Sequence, residues 1–443
     1  MELPAGMARA DVVARERTHV WPPYTASEHH EQQDPLVVVR AEGPWLWDAD
    51  GRKVFDGNAS WWACTLGHGH PRLRGALTRQ AEALMHVSAG GITHGPIALL
   101  AEELSAVAPG DLSRVHFSDD GSTAVEVAVK AAFQYWQQNG RPSRTRFVSL
   151  SGAYHGDTLG AASLAALAEF HEVFSPILFD VIRPPVVGEA GGWERVFEHL
   201  FALLEAHPDE IAGVIVEPLL QGAAGMQMYD DSLLRALREK TREIDTFLIA
   251  DEVFTGYGRT GAMWACDRAG VVPDLLCTAK GFTAGVLPMA ATLATPRVYD
   301  GFRGGPDRAL MHGHTFCGNP LGAAVAREVL AIYREEGVVE KVGTLAKQLR
   351  EAFERMGEIR GVRRVRTLGA VAAMDVGDGG YGGQTGWRVF REALKRGVFL
   401  RPLGDTVYVT PPLNASADDL TFLLDVLHES VRVVMSDGAF LSP

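Results

Sequence analysis

Short, almost wholly apolar runs alternate along the middle of the chain with longer stretches of helical period. Arg146–Leu150, Ile211–Val216 and Thr246–Ala250 are too short for ordinary helices and too uniformly apolar for strands with one wet face. They read as strands buried on both faces of a sheet, the pattern of parallel sheets covered by helices. Between them, Ala124–Gln137 and Ser232–Arg242 carry the helical pattern. Such alternation predicts an α/β domain with a largely parallel sheet.

The two ends differ. Ala41–Phe55 holds Gly43-Pro44, then Trp45-Leu-Trp47, then Asp50-Gly51, and predicts a hairpin. A long helix is expected from about Gly322 to Arg355, followed by short strands around Arg363, Gly369–Asp375 and Val407–Val409. Gly377–Gly386 has six glycines in ten residues and reads as a flexible loop. The expected organisation is a large domain over 60–325 and a small α+β domain built from 1–59 and 326–443.

Composition narrows the partners. The chain has 443 residues, 47% of them hydrophobic, which suffices for a sizeable core. Forty-two Lys and Arg against 55 Asp and Glu leave a net charge of −13, with no basic stripe. Nucleic acid and anionic membranes are therefore poor partners, and small molecules are expected. The four cysteines form no C-x-x-C pair, so no metal site is expected and buried, reduced thiols are. Met1–Gly6 has an early acid and starts no apolar core, unlike a secretory leader. The longest uncharged window, Ala83–Ala101, is broken by glycines, histidines and Pro96, unlike a membrane span. These features predict a cytoplasmic protein.

Three segments could carry chemistry. Phe117-Ser-Asp-Asp-Gly121-Ser122-Thr123 feeds a strong helix former, and amides at such a start favour an anion. It fits equally an ordinary helix cap with Thr123 and Glu126 as a capping box. Asp251 ends an apolar strand, where α/β sheets place ligands. Lys280 follows a second apolar strand 29 residues later, one strand–helix–strand step on. Partial burial there would lower its pKa and free a neutral amine to attack a carbonyl. A carboxylate, an amine and an anion-binding helix start suit pyridoxal phosphate, which needs a Schiff-base lysine, a protonated ring nitrogen and phosphate donors. Tyr154 could stack on its ring or simply fill the core.

With these residues stand His19-Val-Trp-Pro-Pro-Tyr24, Ser60-Trp61-Trp62, Tyr154-His-Gly-Asp-Thr158, Glu217-Pro218, Gly258-Arg-Thr-Gly261, His312-Gly-His-Thr-Phe316 and Gly318-Asn-Pro320. In this order, from His19 to Pro412, the chain resembles the class III aminotransferases. The resemblance implies a fold-type I, pyridoxal phosphate-dependent homodimer with active sites at the subunit interface. It implies Lys280 as the Schiff-base lysine and Asp251 on the ring nitrogen, with Tyr154 against the ring and Glu217 ordering that side. Gly121 and Ser122 would hold phosphate, with His314 and Thr315 joining the cofactor set, Thr315 from the other subunit. Toward substrate it implies Tyr24, a second catalytic group, with Asp157, Gly313 and a Trp61 wall for an aliphatic chain. Trp62 would support that wall, and Arg401 would bind a carboxylate through two charge-assisted bonds. His314 replaces a proline common in similar chains, and 166–192, which borders the donor pocket, is shorter. Rival readings are a lysine-using or ω-amino-acid transaminase, an aminomutase or decarboxylase, and a silent binding protein.

Overall fold

The computed structural model describes residues 7–436, so Met1–Gly6, read for a leader, lies outside the described residues. Its central sheet has seven strands, in the order Arg114–Ser118, Ala290–Ala294, Leu275–Thr278, Phe247–Asp251, Ile211–Val216, Arg146–Ser149 and Val181–Ile182. Ala290–Ala294 runs antiparallel to both neighbours, and the other pairings are parallel. The uninterrupted apolar runs follow from helices on both faces. Phe247 and Ile249 pack with Val125, Ala128 and Trp136 of the helix Gly121–Gln138. Leu248, on the opposite face, packs with Leu200, Leu234 and Leu237.

Elsewhere the structure refines the expectations. The helix expected over 322–355 is two, Pro320–Glu336 and Val338–Gly357. Gly337 separates them at φ 59, a left-handed residue whose amide caps the Tyr333 carbonyl. The expected hairpin is a meander of Val38–Glu42, Trp45–Asp48 and Lys53–Asp56, joined in parallel by Val398–Phe399. Arg363–Leu368, Val371–Asp375 and Thr406–Val409 form an antiparallel sheet. The glycine-rich stretch is wrapped around the buried Asp405 carboxylate, which accepts from Gly379 N at 2.9 Å and Thr385 N at 2.8 Å. A Cβ on Gly383 would fall 2.1 Å from Asp405 Cγ, so glycine serves close approach there rather than freedom. All four cysteines are free and buried. Among the described residues, no helix is long and apolar enough to cross a membrane.

Candidate active site

Asp251 and Cys277 are register partners on adjacent parallel strands, which brings Asp251 and the Lys280 segment to the same sheet end. Tyr154 and Glu217 also follow strands at their carboxyl ends, and Gly121 opens the helix after another. The loops leaving these ends enclose a cavity of about 770 Å³, lined by Gly121, Ser122, Tyr154, Asp157, Glu217, Asp251 and Lys280. That volume lies in the range of ligand sites, at the strand ends where α/β sheets bind ligands.

Lys280 sits at φ 42, a left-handed conformation rare for a side-chain-bearing residue. Its Nζ lies 5.1 Å from the centre of the Trp62 ring. Burial lowers the pKa of this amine, against the opposing pull of Asp251 and Glu217. Asp251 Oδ1 accepts from Val253 N at 3.1 Å, and Oδ2 lies 2.7 Å from His155 Nδ1. His155 is buried, and its Nε2 is also buried without a partner. A proton on Nδ1 makes the ring a donor that orients the Asp251 carboxylate. Sequence reasoning gave His155 no role, although it lies inside the Tyr154-His-Gly string.

Glu217 uses both oxygens on the backbone, accepting from Tyr154 N at 3.0 Å and Gly222 N at 2.9 Å. Burial pushes its pKa up to about 7, with His155 opposing the rise and Asp251 adding to it. It therefore anchors the chain that presents Tyr154. At the helix start, Asp120 is the cap, paired with Thr123 in a capping box. Glu126, expected in that box, instead accepts from Thr158 Oγ1 at 2.6 Å and Gly160 N at 2.9 Å. Its place in the helix's second turn points it at the neighbouring segment rather than at its own cap. Gly156, at φ 120, lies so close to Ser122 that a Cβ would meet Oγ at 2.1 Å.

These features fit pyridoxal phosphate. A long helix starts with Gly and Ser against a floor too tight for side chains, as a phosphate needs. A carboxylate braced by a buried histidine faces the same cavity as a desolvated amine.

Of the substrate-side residues, Tyr154 and Asp157 line the cavity, whereas Tyr24, Trp61 and Arg401 are not among its lining residues, and Tyr24 reaches it through those two. Tyr24 Oη lies 3.0 Å from Tyr154 Oη and donates to Asp157, which also accepts from Tyr154 at 2.8 Å. Burial, reinforced by Asp157, pushes Tyr24 up to about 12, and burial raises Tyr154 further, so both hydroxyls stay protonated. Phe170 packs against Tyr24 at 5.5 Å, and His171 Nε2 lies 3.3 Å from Asp157 Oδ1. Both belong to the 166–192 stretch, and neither was singled out from sequence.

Ala59, Ser60, Trp61 and Trp62 have φ of 45, 46, 58 and 75, a left-handed turn without glycine. Each such residue costs about 1–2 kcal/mol, so the surroundings must hold it. The turn sends adjacent tryptophans to different places. Trp62 is buried at 4.2 Å from Phe254, and its Nε1 donates to Tyr408 Oη at 3.1 Å. It lines the cavity beneath Lys280, more than the backing expected of it. Trp61 faces Tyr24 edge-on at 5.6 Å and the Arg401 guanidinium at 5.1 Å.

Beneath the turn, Asp56 Oδ2 accepts from Ser60 Oγ at 2.7 Å and meets His68 Nε2 at 2.9 Å. Burial disfavours charge on His68, but Asp56 and Cys64 outweigh it and push its pKa up to about 10. With the folded value above the unfolded one, this stabilisation is complete below about pH 6.5 and is lost as pH rises toward 10. The expected result is a Tm that falls by roughly a few degrees between pH 7 and 10, a fall that His68→Gln removes. Thermal melts of both proteins across that range check it, and identical profiles would refute it.

His314 Nδ1 lies 2.9 Å from Asp119 Oδ2, next to the helix start. Asp119, His314 and Cys317 bring ligand atoms within 4.8 Å, yet Cys317 Sγ already accepts from His314 N at 3.0 Å. Gly313 and Thr315 are exposed and do not line the cavity of their own chain.

Comparison with known proteins finds similar aminotransferases. The family "Aminotransferase class-III" matches residues 26–431. The adenosylmethionine-8-amino-7-oxononanoate aminotransferase of Geobacter sulfurreducens is 41% identical, covering 95% of this chain and 97% of its own. The enzyme of that name from Synechococcus elongatus is 42% identical, over 89% and 94%. The solved structure of the Methanocaldococcus jannaschii protein of that name superposes with a TM-score of 0.91 at 34% identity, covering 95% and 98%. An amine transaminase from an uncultivated Pseudomonas species, solved with pyridoxal phosphate bound, gives 0.86 at 32%, over 94% and 98%.

Proposed function

We propose the function of this chain from its family: it belongs to the class III aminotransferases, which are pyridoxal phosphate enzymes acting on small molecules. It moves an amino group from S-adenosylmethionine to the ketone of 8-amino-7-oxononanoate, giving 7,8-diaminononanoate in biotin biosynthesis. One observation carries the choice of acceptor. The Trp61–Trp62 turn has the Lys280 amine against one tryptophan and the Arg401 guanidinium against the other. An aromatic wall between an amine and a carboxylate reader suits a long aliphatic keto acid.

Pyridoxal phosphate supplies, when bound, an aldehyde carbon and a protonated ring that stabilises negative charge at the substrate Cα. The chain does the rest. Gly121 and Ser122 at the helix start would hold the phosphate. Asp251, held in place by its contact with His155, would hold a proton at the ring nitrogen, and Tyr154 would lie against the ring. Lys280 Nζ, moved toward neutrality by burial, would carry a proton between the substrate Cα and the aldehyde-derived carbon of the cofactor. Tyr24 and Asp157 orient the amino-ketone end, and Arg401 takes the terminal carboxylate. The aromatic group of Tyr24, Trp61 and Phe170 supports a sulfonium donor through cation–π attraction.

The same reading makes the enzyme a cytoplasmic homodimer, with Gly313, His314 and Thr315 completing the neighbouring subunit's site. Exposed Met311 (85%) and Phe316 (59%) in that segment support a surface that a second subunit covers. It also divides the chain into 60–325, which carries most of the cavity, and a small domain of 1–59 with 326–443. The strand Val398–Phe399 beside Lys53–Asp56 supports that pairing of the two ends.

Holoenzyme mixed with S-adenosylmethionine alone is expected to lose the visible absorbance of its bound cofactor, and lysine alone to leave it. Adding 8-amino-7-oxononanoate should restore the absorbance and yield 7,8-diaminononanoate by mass spectrometry. Absorbance lost to lysine instead would overturn the donor, and no diamine with either would overturn the acceptor.

A further inference from the structure

Asn58 stands where two parts of the substrate side meet. Its side chain is almost fully buried, at 3% exposure. Oδ1 accepts from the backbone amide of Arg401, 343 residues away in sequence, and Nδ2 donates to the Tyr408 carbonyl at 3.2 Å. Its own carbonyl accepts from Trp62 N at 2.8 Å, closing the left-handed turn. Beside it, Gly57 N donates to the Phe399 carbonyl at 2.8 Å. The amide side chain offers a donor and an acceptor on separate atoms, and both are used here. Aspartate cannot donate, and alanine would leave a buried N–H and a buried carbonyl unpaired.

The guanidinium of Arg401 is correspondingly well placed. It lies 5.1 Å from the centre of the Trp61 ring and 5.8 Å from that of Trp387, and it donates to the Tyr24 carbonyl at 3.4 Å. A planar fork stacked on aromatic rings presents its N–H edge in one direction, which bidentate carboxylate binding requires. Its backbone is tied to the same turn that carries Trp61, so ring and fork keep their mutual register.

We infer that Asn58 is a positioning residue for carboxylate recognition, fixing the Arg401 backbone to the Trp61–Trp62 turn so that the guanidinium stays over the Trp61 face. The inference rests on Arg401 as the carboxylate reader. Asn58 itself touches neither substrate nor cofactor in this role.

The test reads binding as well as turnover. Nonanoate, an unreactive nine-carbon carboxylate, is titrated into holoenzyme by calorimetry. Asn58→Ala is expected to weaken its binding about ten-fold, the effect of losing one well-placed buried hydrogen bond to the reader's backbone. The preference for 8-amino-7-oxononanoate over its methyl ester, taken as a ratio of kcat/KM, should fall by a similar factor. In an Arg401→Ala background, Asn58→Ala should change neither quantity further. Asn58→Ser, which keeps a short polar side chain, should show the same losses at smaller size and serves if the alanine variant does not fold. Equal losses for acid and ester, or a loss that persists without Arg401, would mean that Asn58 only supports the fold. Arg401→Ala binding nonanoate as well as the parent would instead overturn the reading of Arg401.

Discussion

Lys280→Ala is expected to abolish amino transfer, lowering turnover by about 10⁴-fold or more. The expectation follows from the placement of one amine. Lys280 is the only lysine lining the cavity among the described residues, so no neighbour can take over. Its backbone is held in a left-handed conformation, and burial favours the neutral form that a nucleophile and proton carrier needs. Asp251 and Glu217 oppose that drift, so the amine can both release and regain a proton. Single-turnover reaction with the amino donor measures the loss. Borohydride reduction followed by mass spectrometry supplies an independent reading: the parent chain should retain the cofactor mass on the peptide holding Lys280, and the variant should not. A variant with normal turnover would refute the assignment.

Asp251→Asn is expected to lower turnover by about 10³-fold, the usual effect of removing one preorganised electrostatic group, while cofactor stays bound. The helix start at Gly121 and the amine of Lys280 are untouched by the change. What disappears is the negative charge at the strand end, to which His155 Nδ1 lies at 2.7 Å. An amide of the same shape cannot hold a proton on a ring nitrogen. Cofactor content by absorbance, set beside the rate of the donor half-reaction, separates the two contributions. Parallel loss of both would show that Asp251 merely builds the pocket.

Much of the sheet was legible from the chain because its strands are continuously apolar. Ile211–Val216 is found over the expected residues, and the strand expected at 246–250 is Phe247–Asp251. The helices expected at 124–137 and 232–242 are found as Gly121–Gln138 and Asp231–Glu243, whereas Gly337 splits the one expected over 322–355. The glycine-rich stretch misled for a related reason. Composition reports what a backbone can do, and only Asp405, about twenty residues further on, shows what it does.

The sequence by itself determined the pairing of Asp251 with Lys280, because strand period and a 29-residue spacing are local properties that survive without a fold. It also determined that a helix follows the Gly121-Ser122 turn, which the structure starts at Gly121 rather than at Ala124, and it determined the family resemblance. The tertiary structure alone decided which partner each polar group received: His155 for Asp251, the Tyr154 amide for Glu217, and the Arg401 amide for Asn58. It alone wound Ala59–Trp62 to the left, which no propensity of Ala, Ser or Trp foretells. The physical reason is common to all of these. Buried polar groups and strained backbone are settled by whatever donors, acceptors and packing the fold brings alongside, from tens to hundreds of residues away.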